Sequence, residues 1–345
     1  MNSFASNKSN NSEISTTPLT AETYLISSIY VAIALTAVFG NILVILAVCT
    51  NTRLQTKSNY LLVALAVPDL FQGAVSLPLR TVEVLSVNCD LKSFCLAAIP
   101  VSTLFGATSN LHILLVAIER FVAIYFPYFY YSWVTTKSVL MGVWLIWLSV
   151  VTVSLLPVLG WGGKEPETAV TFCRFPSFLT QEYITCLYLF VNVIPIIVVT
   201  FLNVFILRES LHHLWRIEAQ VVSCGLNLPE RDGNSQFSPQ PVEAVRQKSV
   251  EAMKLRKATF IVAAVVGSFI LLVVPIVTID IVEMLTATVV PEAVVKIAVL
   301  MIYANHCVNV FVYAGLNFDY RKAFKKILQK MCVNVFRSRG SGGPD

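Results

Sequence analysis

Residues Cys95–Phe126 read CLAAIPVSTLFGATSNLHILLVAIERFVAIYF, and this stretch decides the fold of the chain. It is apolar and long enough to cross a bilayer, but small and polar residues recur in it at spacings of three and four. Such spacings place residues on one helical face, and here they form a stripe: Ser102, Gly106, Ser109, Ile113, Val116 and Arg120. Lipid-facing helices need no such stripe, whereas small residues allow close helix packing and polar residues find partners there. The stretch therefore predicts the central helix of a membrane-embedded bundle.

The composition of the whole chain indicates the same class of protein. The 345 residues have a mean hydropathy of +0.72 and only 13% of them are charged, which is too apolar for a water-soluble fold. A span needs about 20 mostly apolar residues, and seven stretches qualify: roughly Tyr24–Thr50, Tyr60–Val84, Cys95–Phe126, Val139–Trp161, Tyr183–Leu207, Ala258–Met284 and Val294–Leu316. We therefore expect an all-α integral membrane protein with a seven-transmembrane helix bundle over 24–316, no repeat and no separate soluble domain.

The basic residues predict how the bundle is oriented. Loops on the cytoplasmic side of a membrane carry an excess of Lys and Arg. With the N-terminus outside, 19 of the 25 basic residues lie inside, and the outer side holds the other six: Lys8, Arg80, Lys92, Lys164, Arg174 and Lys296. This asymmetry predicts a multi-pass membrane protein whose N-terminus lies outside and whose C-terminus lies in the cytoplasm. The net charge of +5 then reflects topology, and no nucleic-acid partner is expected.

The N-terminal segment predicts an extracellular tail. Residues 1–23 are rich in Ser, Asn and Thr, a composition typical of disorder. Asn7 and Asn10 begin glycosylation triplets, although such triplets also arise by chance in a tail of this composition. A basic and apolar leader with a small-residue cleavage site is not seen, so we expect no cleaved signal peptide.

The segments on the predicted cytoplasmic side have three distinct compositions. Residues 208–257 form a long third loop with Pro, Gly, Ser and Gln near its middle, which predicts a flexible connection between helix extensions. Residues 317–331 interleave aromatic and aliphatic with basic side chains and predict a short amphipathic eighth helix on the membrane surface. Cys332 opens the tail 332–345 and is either a palmitoylation site or a free cysteine.

Polar residues inside the spans are the candidates for function. Asp69 lies within the second span, where a carboxylate is costly and usually functional. In the seventh span Asn305, Asn309 and Tyr313 stand at i, i+4 and i+8 and share one face. Arg120 continues the stripe of the third span, so we expect it to point into the bundle and not to snorkel towards water.

Taken in order along the chain, these residues resemble a rhodopsin-like (class A) G-protein-coupled receptor from about residue 24 to residue 332. The positions that match are Gly40-Asn41, Leu65–Asp69, Cys95, Glu119-Arg120-Phe121, Trp147, Cys173, Pro195, Phe269, Pro275 and Asn309–Tyr313. The segments LQTKSNYLLVALAVPDL, PVLGW with CRF, and ANHCVNVFVYAGLNFDYRKAFKKI are most similar to adenosine and related receptors. The complete set of matching positions in this order is highly specific for the family, although each position alone is a weak indication.

The resemblance implies a receptor that is not an enzyme and that passes a signal from an extracellular small-molecule ligand to a heterotrimeric G protein. Arrestin and receptor kinases are implied as further partners. The residues implied in G-protein coupling and switching are Glu119, Arg120, Phe121, Phe269, Pro275, Asn309 and Tyr313. No organic cofactor is expected.

A structural sodium ion is implied at four positions: Asp69, Ser109, Asn305 and Asn309. A buried carboxylate among neutral oxygens suits a hard cation, and the alternative is a hydrogen-bonded network without an ion. Cys95 and Cys173 are the expected disulfide, with Cys89 as a rival partner that sequence alone does not exclude.

The predicted ligand pocket departs from those of related receptors. Its expected residues are Ser102, Gly106, Phe175, Val273, Val277, Asp280 and Tyr303. Ser102 stands where amine receptors place an Asp, and Asp280 replaces the amide that reads adenine in adenosine receptors. The ligand class therefore stays open between cationic and nucleoside-like. Asp280 either attracts a cationic ligand or pairs with Lys296 as an outer gate.

Two further departures affect signalling. Val273 replaces the usual Trp of the sixth span and Val310 the usual Pro of the seventh, so activation is either weakly restrained or weakly transmitted. The alternatives are accordingly a constitutively active receptor and an uncoupled, decoy receptor. A transporter or channel is less favoured because repeated halves are not seen. A light sensor is excluded because Tyr303 stands at the retinal-bearing lysine of opsins.

Overall fold

The computed structural model describes residues 20–85, 91–166, 173–226, 240–286 and 288–340. Within these ranges seven helices are long and apolar enough to cross a membrane, and we number them as spans in chain order. They are Ala21–Thr50, Lys57–Leu85, Leu91–Tyr125, Thr136–Leu155, Gln181–His212, Ala263–Thr286 and Glu292–Leu316. The predicted seven-helix membrane bundle is confirmed.

The third span occupies the centre of the bundle, as its stripe predicts. It packs against the second, fourth and fifth spans. Along the stripe Ser109, Ile113 and Val116 are buried, whereas Ser102 and Arg120 are partly accessible because each borders a cavity. We refer to the end of the bundle near Cys95 as the disulfide end, and to the other as the Arg120 end.

Two spans contain a single wide turn of π-helix. The second span runs through three segments: Lys57–Phe71, the π turn Gln72–Ser76 and Leu77–Leu85. The fifth span does the same: Gln181–Tyr188, the π turn Leu189–Val193 and Ile194–Leu226. A proline lies beside each π turn, and the missing proline N–H is a common cause of such local rewinding. The turns change which face the rest of each helix presents to the bundle.

The fourth span is shorter than the sequence predicts. It ends at Leu155, whereas its apolar run predicts an end near Trp161. Pro157 has no backbone N–H to donate to the helix, and the chain beyond Leu155 continues as a turn. Gly160 and Gly162 then adopt positive φ angles of 95° and 84°, which suit glycine alone. A Cβ at Gly162 would lie 2.6 Å from the Tyr183 ring, so this turn also fixes the start of the fifth span.

At the Arg120 end, helices continue beyond the spans. The helix of the sixth span begins at Gln240, and a further helix covers Phe318–Gly340, longer than the predicted segment 317–331. Tyr320, Ala323 and Phe324 are buried in a core cluster with residues of the first and second spans. Contact of this helix with a membrane surface stays a prediction. So does palmitoylation of Cys332, whose thiol is exposed and free.

The predicted tail, its acceptors Asn7 and Asn10, and the rival cysteine Cys89 lie outside the described residues. The middle of the third loop lies outside them as well. The corresponding predictions stay as stated.

Candidate functional site

The loop before the fifth span is fastened to the bundle at the disulfide end. Cys95 and Cys173 form the predicted disulfide. Oε1 of Glu83 accepts a hydrogen bond from the backbone N–H of Cys173 at 2.6 Å, and Oε2 of Glu83 lies 2.5 Å from Nη1 of Arg80. Nη1 of Arg80 also donates to the Cys173 carbonyl at 3.3 Å. Sequence reasoning treated Arg80 only as an outer charge, although its i, i+3 spacing from Glu83 was a usable signal.

A cavity of about 170 Å³ lies between the spans beneath this loop. Six of the seven predicted pocket residues line it: Ser102, Gly106, Phe175, Val277, Asp280 and Tyr303. Val273 is the exception, because it is fully buried in an apolar cluster with Phe269 and Val199. The ring of Phe175 stacks on Tyr188, with centroids 6.5 Å apart. The cavity suits a small molecule with an apolar body.

The charged residues around the cavity are unequally paired. Glu83 is neutralised by Arg80, and Glu283 by Arg174. Asp280 is buried and accepts a hydrogen bond from the Tyr188 hydroxyl. Within the described part of the chain no Lys or Arg forms an ion pair with Asp280.

The expected alternative partner of Asp280 lies elsewhere. Nζ of Lys296 is 3.1 Å from carboxylate oxygens of both Glu22 and Glu292. The described residues therefore contain no Asp280–Lys296 gate, and that alternative is wrong. Asp280 is left as the one carboxylate at the cavity wall whose partner is a neutral hydroxyl.

The second group of polar residues surrounds Asp69, which is fully buried. Its Oδ1 accepts hydrogen bonds from Oγ of Ser109 at 2.6 Å and from Nδ1 of His306 at 2.7 Å. Its Oδ2 accepts from Nδ2 of Asn309 at 3.1 Å. Three of the four residues predicted for a sodium site therefore meet here, but His306 was not predicted and Asn305 does not contact the carboxylate. The signal for His306 was its i, i+3 spacing to Asn309.

These contacts do not fit a sodium ion at Asp69. A hard cation is held by oxygen ligands, whereas an imidazole nitrogen is bonded to Oδ1 here. Ser109 and Asn309 donate to the same carboxylate, so three donors already satisfy its two oxygens. The arrangement corresponds to the alternative expectation, a hydrogen-bonded network.

The Arg120 end holds the predicted switch residues. Nε of Arg120 lies 3.6 Å from Oε2 of Glu119, which is an ion pair without a hydrogen bond. Oε1 of Glu119 accepts from Ser58 and Tyr130, each at 2.6 Å. Burial, together with the hydrogen bond to Glu119, raises the pKa of Tyr130 to about 12. The phenol therefore stays protonated at neutral pH and holds Glu119 in place.

The other switch residues divide between this end and the core. Arg120 and Tyr313 line a second, smaller cavity of about 70 Å³ between the second, third, sixth and seventh spans. Phe121 stacks on Tyr125, with ring centroids 4.7 Å apart. Pro275 lies within the helix of the sixth span. The structure thus brings Arg120 and Tyr313 to one small cavity at the Arg120 end.

A bundle of seven membrane-spanning helices, with a cavity at one end and an arginine-lined cavity at the other, is an arrangement typical of seven-helix membrane receptors. Residues 40–313 match the family described as 7 transmembrane receptor (rhodopsin family), and the chain belongs to that family. It is accordingly a G-protein-coupled receptor, a multi-pass protein of the plasma membrane, and not an enzyme. The predicted family resemblance is confirmed.

Individual relatives come from two branches of receptors. The chain is 30% identical to the adenosine receptor A2b of Bos taurus over 336 residues, which cover 94% of this chain and 96% of the relative. It is 31% identical to the adenosine receptor A2b of Canis lupus familiaris, over 90% of this chain and 92% of the relative. It is 27% identical to the alpha-1A adrenergic receptor of Oryzias latipes, over 86% of this chain and 65% of the relative. Because the two branches are named for different ligands, the ligand of this chain does not follow from similarity.

Proposed function

We propose that this receptor binds an extracellular small ligand in the cavity at the disulfide end and promotes nucleotide exchange on a heterotrimeric G protein at the Arg120 end. The observation that carries the proposal is the shared cavity of Arg120 and Tyr313. Cys95 and Arg120 are 25 residues apart on one helix, or about 38 Å. The two cavities therefore suit ligands on opposite sides of a membrane. The excess of basic residues supports a cytoplasmic Arg120 end.

The mechanism is a shift between two arrangements of the bundle. A ligand that binds one arrangement better raises its population. The sixth span is the element suited to move, because Pro275 interrupts its hydrogen bonding and allows a bend. An outward swing of its Arg120 end would widen the smaller cavity for a G-protein segment. Arrestin and receptor kinases would bind the same opened end, as the family resemblance implies.

The ligand that the cavity supports best carries a cationic group. Asp280 is buried at the cavity wall with a neutral partner, and a ligand cation would supply the missing charge. The rest of the wall is largely apolar and would cover an apolar body. A nucleoside-like ligand is the second candidate, which the stacked pair Phe175 and Tyr188 favours by offering aromatic faces.

Nucleotide exchange in membranes of transfected cells tests the coupling. We expect GTPγS binding above that of untransfected membranes, either without ligand or during a screen of amines and nucleosides. Arg120→Ala should abolish it at equal surface density. The control is Arg53→Ala, which removes an exposed basic residue from the short 3₁₀ helix Thr52–Leu54 at the same end.

Each outcome of that assay has a defined meaning. Exchange without ligand identifies a constitutively active receptor, and exchange only with ligand identifies a regulated one. No exchange in any condition, with the protein displayed at the surface, would establish the uncoupled receptor and overturn the proposal. Staining of an N-terminal epitope on intact cells tests the orientation, because a cytoplasmic N-terminus would stay unstained.

A further inference from the structure

The contact between His306 and Asp69 joins two buried side chains of different spans. Nδ1 of His306 lies 2.7 Å from Oδ1 of Asp69, and the two side chains are 3% and 0% exposed. An ionised carboxylate only accepts hydrogen bonds, so Nδ1 must carry the hydrogen. The imidazole thus donates to the carboxylate from the seventh span, and the hydrogen bond is of ordinary length.

The backbone of the seventh span fixes the position of this imidazole. Nδ2 of Asn41 donates to the His306 carbonyl at 3.0 Å and to the Ala37 carbonyl at 2.9 Å. The first span therefore holds the turn that carries His306. Because the turn is held, moving the imidazole away from Asp69 would rearrange the polar network.

The remaining neighbours of Asp69 are also arranged as hydrogen donors. Ser109 donates its hydroxyl to Oδ1, and Asn309 donates its amide to Oδ2. A cation at this carboxylate would have to displace at least one of these donors from its oxygens. Three donors from two spans instead satisfy both oxygens of Asp69.

We propose that the Asp69 site of this receptor takes no sodium ion, because the imidazole of His306 occupies the place at the carboxylate that the ion would need. His306 also lines the ligand cavity, so a single side chain adjoins the ligand and holds Asp69. An exchangeable ion at this site would connect the ligand cavity to Asn309. In this receptor His306, a fixed residue, makes that connection instead. The proposal concerns ion binding alone and does not depend on G-protein coupling.

Two side-chain oxygens nearby could bind a cation if the imidazole were removed. Within the described residues the side-chain oxygen of the buried Asn305 has no hydrogen-bond partner, and neither has that of Asn309. Both belong to residues implied for the sodium site by family resemblance. Replacing His306 by a smaller oxygen-bearing residue should therefore convert the network into a site with oxygen ligands.

Thermal unfolding of the full-length, ligand-free receptor in detergent tests the proposal, with sodium ion alone as the probe. We expect the wild-type midpoint to be the same in sodium chloride and in potassium chloride at equal ionic strength. His306→Ser should gain a midpoint that rises with sodium concentration, as linkage requires of an ion bound only by the folded state. Adding Asp69→Asn to that variant should remove the gain.

The matched control is His112→Ser. His112 is also a fully buried histidine, but its Nδ1 bonds to the Thr108 carbonyl at 2.7 Å. This variant should lose stability without becoming sensitive to sodium. If His306→Ser does not fold, His306→Asn provides a second oxygen-bearing variant, and the wild-type comparison still decides the first half of the proposal.

Two results would overturn the inference. One is a sodium-specific rise of the wild-type midpoint that Asp69→Asn removes, since the ion would then bind beside His306. The other is folded His306 variants that stay insensitive to sodium, since the imidazole would then not be what keeps the ion out.

Discussion

Glu83 and Cys173 are joined by a hydrogen bond of 2.6 Å from the backbone amide of the cysteine to a buried carboxylate oxygen. The same carboxylate pairs with Arg80. The disulfide therefore does not fasten its loop alone, because the second span also holds the loop through the Arg80–Glu83 pair at the wall of the ligand cavity. A substitution of Glu83 should therefore destabilise the whole disulfide end.

We predict that Glu83→Gln destabilises the receptor strongly. It removes the negative charge that pairs with the buried guanidinium of Arg80, and breaking such a pair costs about 3–5 kcal/mol. The matched control is Glu165→Gln, because Glu165 pairs with Lys92 on the surface, where an ion pair contributes about 0–1 kcal/mol. Thermal unfolding of the purified proteins measures both. Equal losses in the two variants would show that the buried pair is not structural.

The contact between Gly40 and Val310 predicts a second effect on stability. A Cβ on Gly40 would lie 2.8 Å from Cγ2 of Val310, so Gly40→Ala should overpack the contact between the first and seventh spans and cost about 1–3 kcal/mol. Adding Val310→Ala should restore part of the loss. Gly267→Ala is the control, because a Cβ there meets no atom within 4 Å.

The double variant distinguishes a steric effect from a loss of helix flexibility. If the cost is steric, the two substitutions couple and the combined loss is smaller than the sum of the separate losses. If the losses simply add, the clash at Val310 is not the cause. A destabilised Gly267→Ala would likewise point to a general need for glycine in these helices.

Some structural features of this receptor can be predicted from its sequence and others cannot, depending on whether the sequence pattern behind them is local. The seven spans and the central third helix follow from apolar length and from a periodic stripe, both of which are local properties. The end of the fourth span does not follow from these signals, because the residues of the turn after Leu155 are as apolar as those of the helix. The prolines and glycines of this turn mark the end of the helix, which the hydropathy of the sequence does not.

The polar sites show the same limit. Asp69, Ser109 and Asn309 were predicted together because each matches a family position, and the structure brings them into contact. His306 was missed because a histidine in an apolar helix gives no distance to a carboxylate in another helix. Val273 was placed in the pocket by analogy with a larger side chain, but a valine at that position is short and packs in the core.

For ligand recognition, we predict that Asp280→Asn weakens the response to a cationic agonist by about tenfold or more. An ion pair desolvated in a cavity contributes more than a surface pair, and tenfold corresponds to about 1.4 kcal/mol. The measurement is agonist potency in the nucleotide-exchange assay at matched surface density. Glu182→Gln is the control, since Glu182 is an exposed carboxylate at the same end. Unchanged potency in Asp280→Asn would contradict the proposal of a cationic ligand but not the proposal of G-protein coupling.

The ion pair at the Arg120 end predicts the basal activity. Glu119 is held by Ser58 and Tyr130, and its free oxygen lies 3.6 Å from Nε of Arg120 without a hydrogen bond. Because the arginine is partly exposed, the pair should contribute about 0–1 kcal/mol to the resting arrangement. Glu119→Gln should therefore raise ligand-free nucleotide exchange by no more than about fivefold, whereas Ser58→Ala, which keeps the carboxylate, should raise it less. Exchange at or below the wild-type level in Glu119→Gln, at equal surface density, would mean that this pair does not restrain the receptor.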